Sequence, residues 1–259
     1  MGIAISKLFV SNTEQFAEQY FLPLSGNDAL QALNKAEQLD GYITTVNQSP
    51  INVLARSQTT YMPSVYSVSI PIPFTVKPWP SGQVIWMNPT ADEGLPHTRA
   101  PNYICLPATI TNDHIANTVL HERVHVSQRL FPDIWETILK EGWDMKPWIG
   151  SFPNHISERR RINPDIHGIP LFIWKNTWVS LGIFKSLKNP KLQEIDIIWW
   201  NTVTRTVHKE VPPEWSDFFG NHPAGEHPYE LAAYLIVEAP SNNKSYGALK
   251  SRLDRLPSS

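Results

Sequence analysis

"TVLHERVHVSQ", residues 118–128, sets His121, Glu122 and His125 in the pattern His-Glu-x-x-His. The surrounding sequence reads as a helix over 113–131, with Asn112 or Asp113 placed to cap it and Pro132 marking its end. On a helix, residues four apart are neighbours on one face, about 5–6 Å apart at Cβ. Two imidazoles at that spacing can converge on one metal ion. Asn117, His121, His125 and Gln128 form a polar stripe on a helix that otherwise carries Ile115, Val119, Leu120, Val124, Val126 and Leu130. Unsatisfied buried polar groups are costly, and a cleft holding a metal would account for such a stripe. The alternative is a surface helix whose two histidines face water or hydrogen-bond inside a core.

Zinc favours tetrahedral coordination, and its catalytic sites use three protein ligands and leave the fourth position for water. Bound zinc lowers the pKa of that water toward about 7. In this motif the glutamate after the first histidine projects toward the water and serves as general base, not as ligand. That is the role expected of Glu122. Arg123 departs from the pattern, because metallopeptidase motifs prefer an uncharged residue there.

The 259-residue chain has a formal net charge of -2, which gives no electrostatic footprint for nucleic acid. Its length suits one large domain or two small ones, and 41% hydrophobic against 18% charged residues reads as globular. The single cysteine, Cys105, cannot form a disulfide within the chain, which points to a reducing, cytoplasmic setting. In "YICLP" it reads as a small buried hydrophobe. No apolar run reaches the length of a membrane span. Met1-Gly2 followed by Ser6 fits the acceptor pattern for N-myristoylation and resembles the starts of myristoylated small GTPases over these few residues. A start codon followed by a small residue reads the same way. Acylated at Gly2, the chain would bind membrane weakly and reversibly.

Along the chain, residues 12–40 read as helical, with Asn27 or Asp28 as a cap and Gly41 after the end. Residues 44–108 read as extended, "QVIWMNP" and "NYICLPATI" as strands within them. A further helix is expected over 133–142, and 151–170 looks like loop. Two long β-type runs, "PLFIWKNTWVSLGIF" and "LQEIDIIWWNTVTRTVHKEV", flank "KSLKNPK" and predict a hairpin. A helix is expected over 228–239, and the last 20 residues look like a polar tail. The organisation is thus 1–150 with the motif helix, 151–225 as an inserted loop and hairpin region, 226–240 as a second helix, and 241–259 as a tail.

A third ligand must come from elsewhere. Extension of the motif to a third histidine needs Gly at 128 and His at 131, where this chain has Gln128 and Phe131, so the metzincin class is excluded. A glutamate on a later helix remains. Glu230 in "EHPYELAAY" sits in the first turn of the 228–239 helix, where Ala232 and Ala233 permit close packing. Glu136, Glu141 and Asp144 are rivals at shorter spacing, Glu141 the best of them, and Glu226 and His227 lie beside Glu230.

"HERVHVSQ" together with "HPYELAAY" resembles a loosely characterised set of gluzincin-type zinc-peptidase-like proteins, and "RRINPD", residues 160–165, looks like a recurrent element between the two. The resemblance covers three short islands, about a tenth of the chain. It implies an α+β fold with a zincin-like core, His121, His125 and Glu230 as ligands of Zn2+, Glu122 as catalytic base, and a peptide or protein as substrate. One departure matters: 104 residues separate His125 from Glu230, so the 151–225 region would be an insertion that leaves the two helices in contact.

Amide hydrolysis also needs a donor for the oxyanion. Tyr229, Tyr234, His222 and His227 are near Glu230 in sequence, Tyr234 and His227 being the leading candidates. Asn163 and Asp165 suit an Asx-type turn, and Arg161 could pair with Asp165, as a clamp beside the cleft. Trp174, Trp178, Trp199 and Trp200 read as sheet core. "NYICLPATI" is expected as the edge strand that takes up extended peptide. The leading expectation is a zinc-dependent metallopeptidase. The others are a non-catalytic structural, virion or membrane-associated protein retaining a zincin fold, and a zinc hydrolase of non-peptide amides.

Overall fold

The computed structural model describes residues 24, 26–64, 82–220, 222, 225–238 and 243–255. Gly2, the helix expected over 12–25 and the alternating stretch at 65–76 lie outside them, Leu24 excepted. The chain is mixed α+β, with helices packed around two separate sheets. Among the described residues, no helix is long and apolar enough to cross a membrane.

The first sheet has the order β1-β3-β2: β1 is Gln83–Met87, β2 His97–Arg99 and β3 Tyr103–Pro107. β1 and β3 are parallel, and β2 runs antiparallel to β3. Both parallel strands are apolar on both faces, which suits strands covered by helices on each side. Ile85, Met87, Tyr103 and Cys105 pack under α1 (Gly26–Asp40) through Ala29, Ala32, Leu33 and Ala36. Val84, Trp86, Ile104 and Leu106 pack on Ile115, Val119 and Val126 of the motif helix. "NYICLPATI" therefore supplies the central strand, not the edge. Among the described residues the sheet's edges are β1 and the short β2, the latter too short at three residues for alternation to reveal.

Residues 44–108 are not all extended. Two short helices, α2 (Tyr42–Asn47) and α3 (Pro50–Ala55), follow α1. Gly41, at φ 60°, ends α1 in the left-handed region that glycine tolerates. The Glu37 carboxylate then accepts the backbone N–H groups of Ile43 and Thr44, both at 2.9 Å. A cap supplied from the preceding helix overrides the extended preference of "YITTV".

The motif helix, α4, is Asn112–Leu130, and α5 is Pro132–Trp143. Thr111 occupies the N-cap of α4 with no side-chain capping bond, and Pro132 both follows α4 and opens α5. The second sheet is a five-stranded antiparallel meander of β4 (Met145–Pro147), β5 (Phe172–Trp174), β6 (Trp178–Phe184), β7 (Ile195–Asn201) and β8 (Thr206–His208). The expected hairpin is β6–β7, in register from Trp178↔Asn201 to Phe184↔Ile195. Each long β-type run is in fact two strands, broken where Lys175, Asn176 and Arg205 take positive φ in tight turns. Between β4 and β5 lie one helical turn, α6 (Asn154–Ser157), and a 3-10 turn at Pro164–Ile166.

α7 (Pro213–Phe219) and α8 (Pro228–Glu238) pack with α5 on the inner face of this sheet, around Trp174, Trp199 and Trp215. Trp200 is buried on the outer face, and Trp178 is half-buried beside His208. The polar tail is instead a helix, α9 (Lys244–Leu253). The Asn243 side chain caps it by accepting from Tyr246 N at 3.0 Å, and Leu249 and Leu253 bury one face against α5. With only one apolar stripe it reads as polar in one dimension.

Candidate metal centre

The helical period delivers His121 and His125 to one face of α4, their rings 4.8 Å apart between centroids. Their Nε2 atoms approach to 3.0 Å. α8 packs across α4 and brings in Glu230, whose Oε2 lies 3.6 Å from His121 Nε2 and 3.5 Å from His125 Nε2. Two ligand atoms on a tetrahedral zinc are separated by about 3.3 Å, given bonds of about 2.0–2.1 Å. The three edges of this triangle fit that separation. Among the described residues, these three are the one group of His, Cys, Asp or Glu placed to share an ion.

Each ligand is oriented by a neighbour. His125 Nδ1–H donates to Gln128 Oε1 at 2.8 Å, which leaves the Nε2 lone pair facing the triangle. Gln128 Nε2 in turn donates to the Tyr229 carbonyl at 3.0 Å and ties α4 to the start of α8. The polar stripe thus has a partner for Gln128, while Asn117 is exposed.

Glu230 is held by the "RRINPD" segment. Asn163 Nδ2 donates to Glu230 Oε1 at 2.7 Å and to Glu226 Oε1 at 3.1 Å, so Oε2 is the oxygen left to face the histidines. Asn163 Oδ1 accepts the Asp165 N–H at 3.0 Å, the expected Asx turn. Arg161 pairs with Glu226, not with Asp165. Asp165 is already spoken for: its Oδ1 accepts the Thr98 N–H at 2.6 Å and hydroxyl at 2.9 Å. Gly182 on β6 leaves room for the Glu226 carboxylate, which a Cβ there would displace.

Burial works against the charged form of Glu230, but the His125 and His121 rings outweigh it and hold the carboxyl well below the usual range. Burial likewise opposes charge on His125. The Glu230 carboxylate, with Asp165 behind it, reverses this and pushes the metal-free ring up to about 8. A carboxylate that stabilises a proton on this ring stabilises a metal cation in the same place.

Glu122 is buried beside the triangle, and its Oε2 accepts no hydrogen bond. Its neighbour is a second carboxyl, Asp165. Burial first, then the charges of Asp165 and Glu230, push the Glu122 carboxyl well above the ordinary range. With no cation present the carboxyl holds a proton toward Asp165. A cation in the triangle would favour its charged form, in which the unpartnered Oε2 could accept a proton from a water. Arg123 points to the buried side of α4, and burial lowers its pKa to about 10.

Tyr234, one turn beyond Glu230, packs edge-on against His121 with centroids 4.4 Å apart and lines the cavity above the triangle. Burial and the nearby carboxylates push its hydroxyl up to about 12, so it is a neutral donor at neutral pH. His227 is not available as a donor. Its Nε2–H donates to the Pro170 carbonyl at 3.0 Å, and its Nδ1 accepts the Tyr229 N–H at 3.2 Å. Burial pushes it down to about 4. Tyr229 is buried in the core, and His222 lies 3.3 Å from Glu238.

The rival ligands are elsewhere. Glu141 is exposed and meets Arg252 of α9 at 3.3 Å. Asp144 is exposed at the C-cap of α5, and Glu136 is half-buried on the same helix. Cys105 is buried in the first sheet, and burial pushes its thiol up, as for an inert residue. A cavity of about 440 Å3 opens over His121, Glu122 and Glu230 and is bounded by Leu95–His97, Asn163–Asp165 and Tyr234. The residue that sequence reasoning undervalued is Asn163. It was placed beside the cleft, whereas it touches the candidate ligand itself. Its signals in the sequence are a proline-bounded turn and its place in "RRINPD".

No protein-family model, curated protein or solved structure matches the chain.

Proposed function

We propose that the protein is a zinc-dependent hydrolase of peptide bonds with a zincin-like core, in which His121, His125 and Glu230 hold the metal and Glu122 is the general base. The observation that carries this reading is the triangle of ligand atoms with Glu122 Oε2, buried and without a donor, beside it. Zinc bound there would supply Lewis acidity and an acidified water. Glu122 would take a proton from the attacking water and return it to the departing amine. Tyr234 O–H, at the cavity wall, is the donor best placed for the oxyanion.

A purely structural zinc site fills its fourth position with a protein ligand. The two residues nearest to that role, Glu226 and His227, are engaged by Arg161, Asn163 and the Pro170 carbonyl. This favours a catalytic site over a structural one. The test is a peptide-library assay of zinc-loaded protein beside Glu122→Gln. The expected result is hydrolysis that falls by about 10²–10⁴-fold in the variant with zinc content unchanged. Hydrolysis equal in both proteins would remove Glu122 from the mechanism, and no hydrolysis by the zinc-loaded wild type would remove the enzyme.

A further inference from the structure

A peptide bound by strand addition needs free outward-facing N–H and C=O groups on alternate residues of a sheet edge. The edge that borders the cavity is β2, whose outward position is Thr98, with Pro96 and Ala100 next in phase on either side of the strand. Pro96 has no N–H. The Thr98 N–H is taken by Asp165 Oδ1 at 2.6 Å, and the Ala100 N–H by Asp40 Oδ2 at 3.0 Å. Arg129 Nη2 donates to the Thr98 hydroxyl and to the Pro164 carbonyl, each at 3.2 Å, and so clamps the 164–165 segment onto the strand. No backbone donor is open at these three positions, and the chain's own Pro164–Asp165 fills the place an added strand would take.

The cavity reaches β2 only at its first residue, His97, after Leu95 and Pro96, and Asn163–Asp165 line it together with Arg56, Asp92, Arg161 and Leu192. Its exposed lining residues, Asn117, Tyr234 and Glu238, are on α4 and α8. The edge of β2 beside the cavity is thus occupied by the chain's own Pro164–Asp165 segment and has no open backbone donor for a long extended substrate.

We propose that the site takes its substrate end-on: a short peptide or a chain terminus whose scissile amide lies next to its end, and not an internal segment of extended polypeptide. This rests on the zinc-hydrolase reading above. The Asp165 and Asp40 carboxylates act here as plugs, satisfying the edge donors that would otherwise recruit a strand.

Two measurements on the zinc-loaded full chain test it. One compares tri- and tetrapeptides with free ends against internally quenched decapeptides of the same core, acetylated and amidated at their ends. The other follows hydrogen exchange at the Thr98 and Ala100 amides. Short peptides should be cleaved faster by at least about tenfold, and both amides should exchange slowly. Internal cleavage of the blocked decapeptides at a comparable rate overturns this proposal alone, as does exchange of the Thr98 amide at the rate of an unprotected group. Cleavage of neither set overturns the hydrolase reading and this proposal with it.

Discussion

His125 and His227 are both fully buried and both meet the first turn of α8, yet their titrations are driven apart, to about 8 and about 4. The difference lies in what the second ring nitrogen meets. His125 uses Nδ1–H on Gln128 and turns Nε2 toward the Glu230 carboxylate, so a positive charge on this ring is welcome. His227 donates through Nε2 and accepts through Nδ1, so both nitrogens are bonded in the neutral form and a further proton would break a bond. Burial alone does not tell a ligand from a lock. The one ring is built to face a cation, the other to pin the turn that leads into α8.

The contrast predicts opposite pH slopes. His227 in the folded chain stays neutral down to about 4, while the unfolded ring takes a proton near about 6.5. The unfolded state therefore binds more protons in between, and stability is full above about 6.5 and falls as pH drops toward 4, by about 3 kcal/mol in total. His227→Gln keeps a donor and an acceptor but does not titrate, so its denaturant-unfolding free energy should lose that part of the acid slope. An unchanged slope would mean that the ring is not locked neutral. His125 has the reverse sign in metal-free protein. Its raised pKa contributes stability that is present below about 6.5 and lost as pH rises through about 8, worth about 2 kcal/mol. Metal-free His125→Gln should lack this decline, and a decline that persists in the variant would place its origin elsewhere.

A smaller effect sharpens the picture of the carboxylate side. Asn163 touches no metal, but its amide selects which Glu230 oxygen faces the histidines. Asn163→Ala should weaken zinc by about 10–100-fold in chelator competition, with the fold retained, as is usual for groups that orient a metal ligand. Zinc affinity equal to wild type would show that α8 alone positions Glu230.

The two halves of the site were unequally legible. His121 and His125 come from one helix, and a 3.6-residue period with a proline after it is enough to put them side by side. α8 was legible for the same reason, through Pro228 and the small residues after Glu230. The support of Glu230 was not, because Asn163 is 67 positions away and reaches it through a loop whose path depends on the Asp165–Thr98 bonds. Arg161 was matched to the nearest carboxylate in sequence, Asp165, but in space it meets Glu226. His227 looked like a free donor because nothing local reveals the Pro170 carbonyl 57 positions earlier. The misread elements share that cause: α2 is capped by Glu37 from another helix, and α9 gains its stability from α5.

The central claim is that three side chains from two helices form one zinc site, and metal content tests it most directly. Elemental analysis of purified wild type, His121→Ala and Glu230→Ala should find one zinc per chain in the first and its loss in both variants. Zinc retained in Glu230→Ala would contradict the role given to α8, and a wild type that takes up no zinc when it is supplied would contradict the site itself.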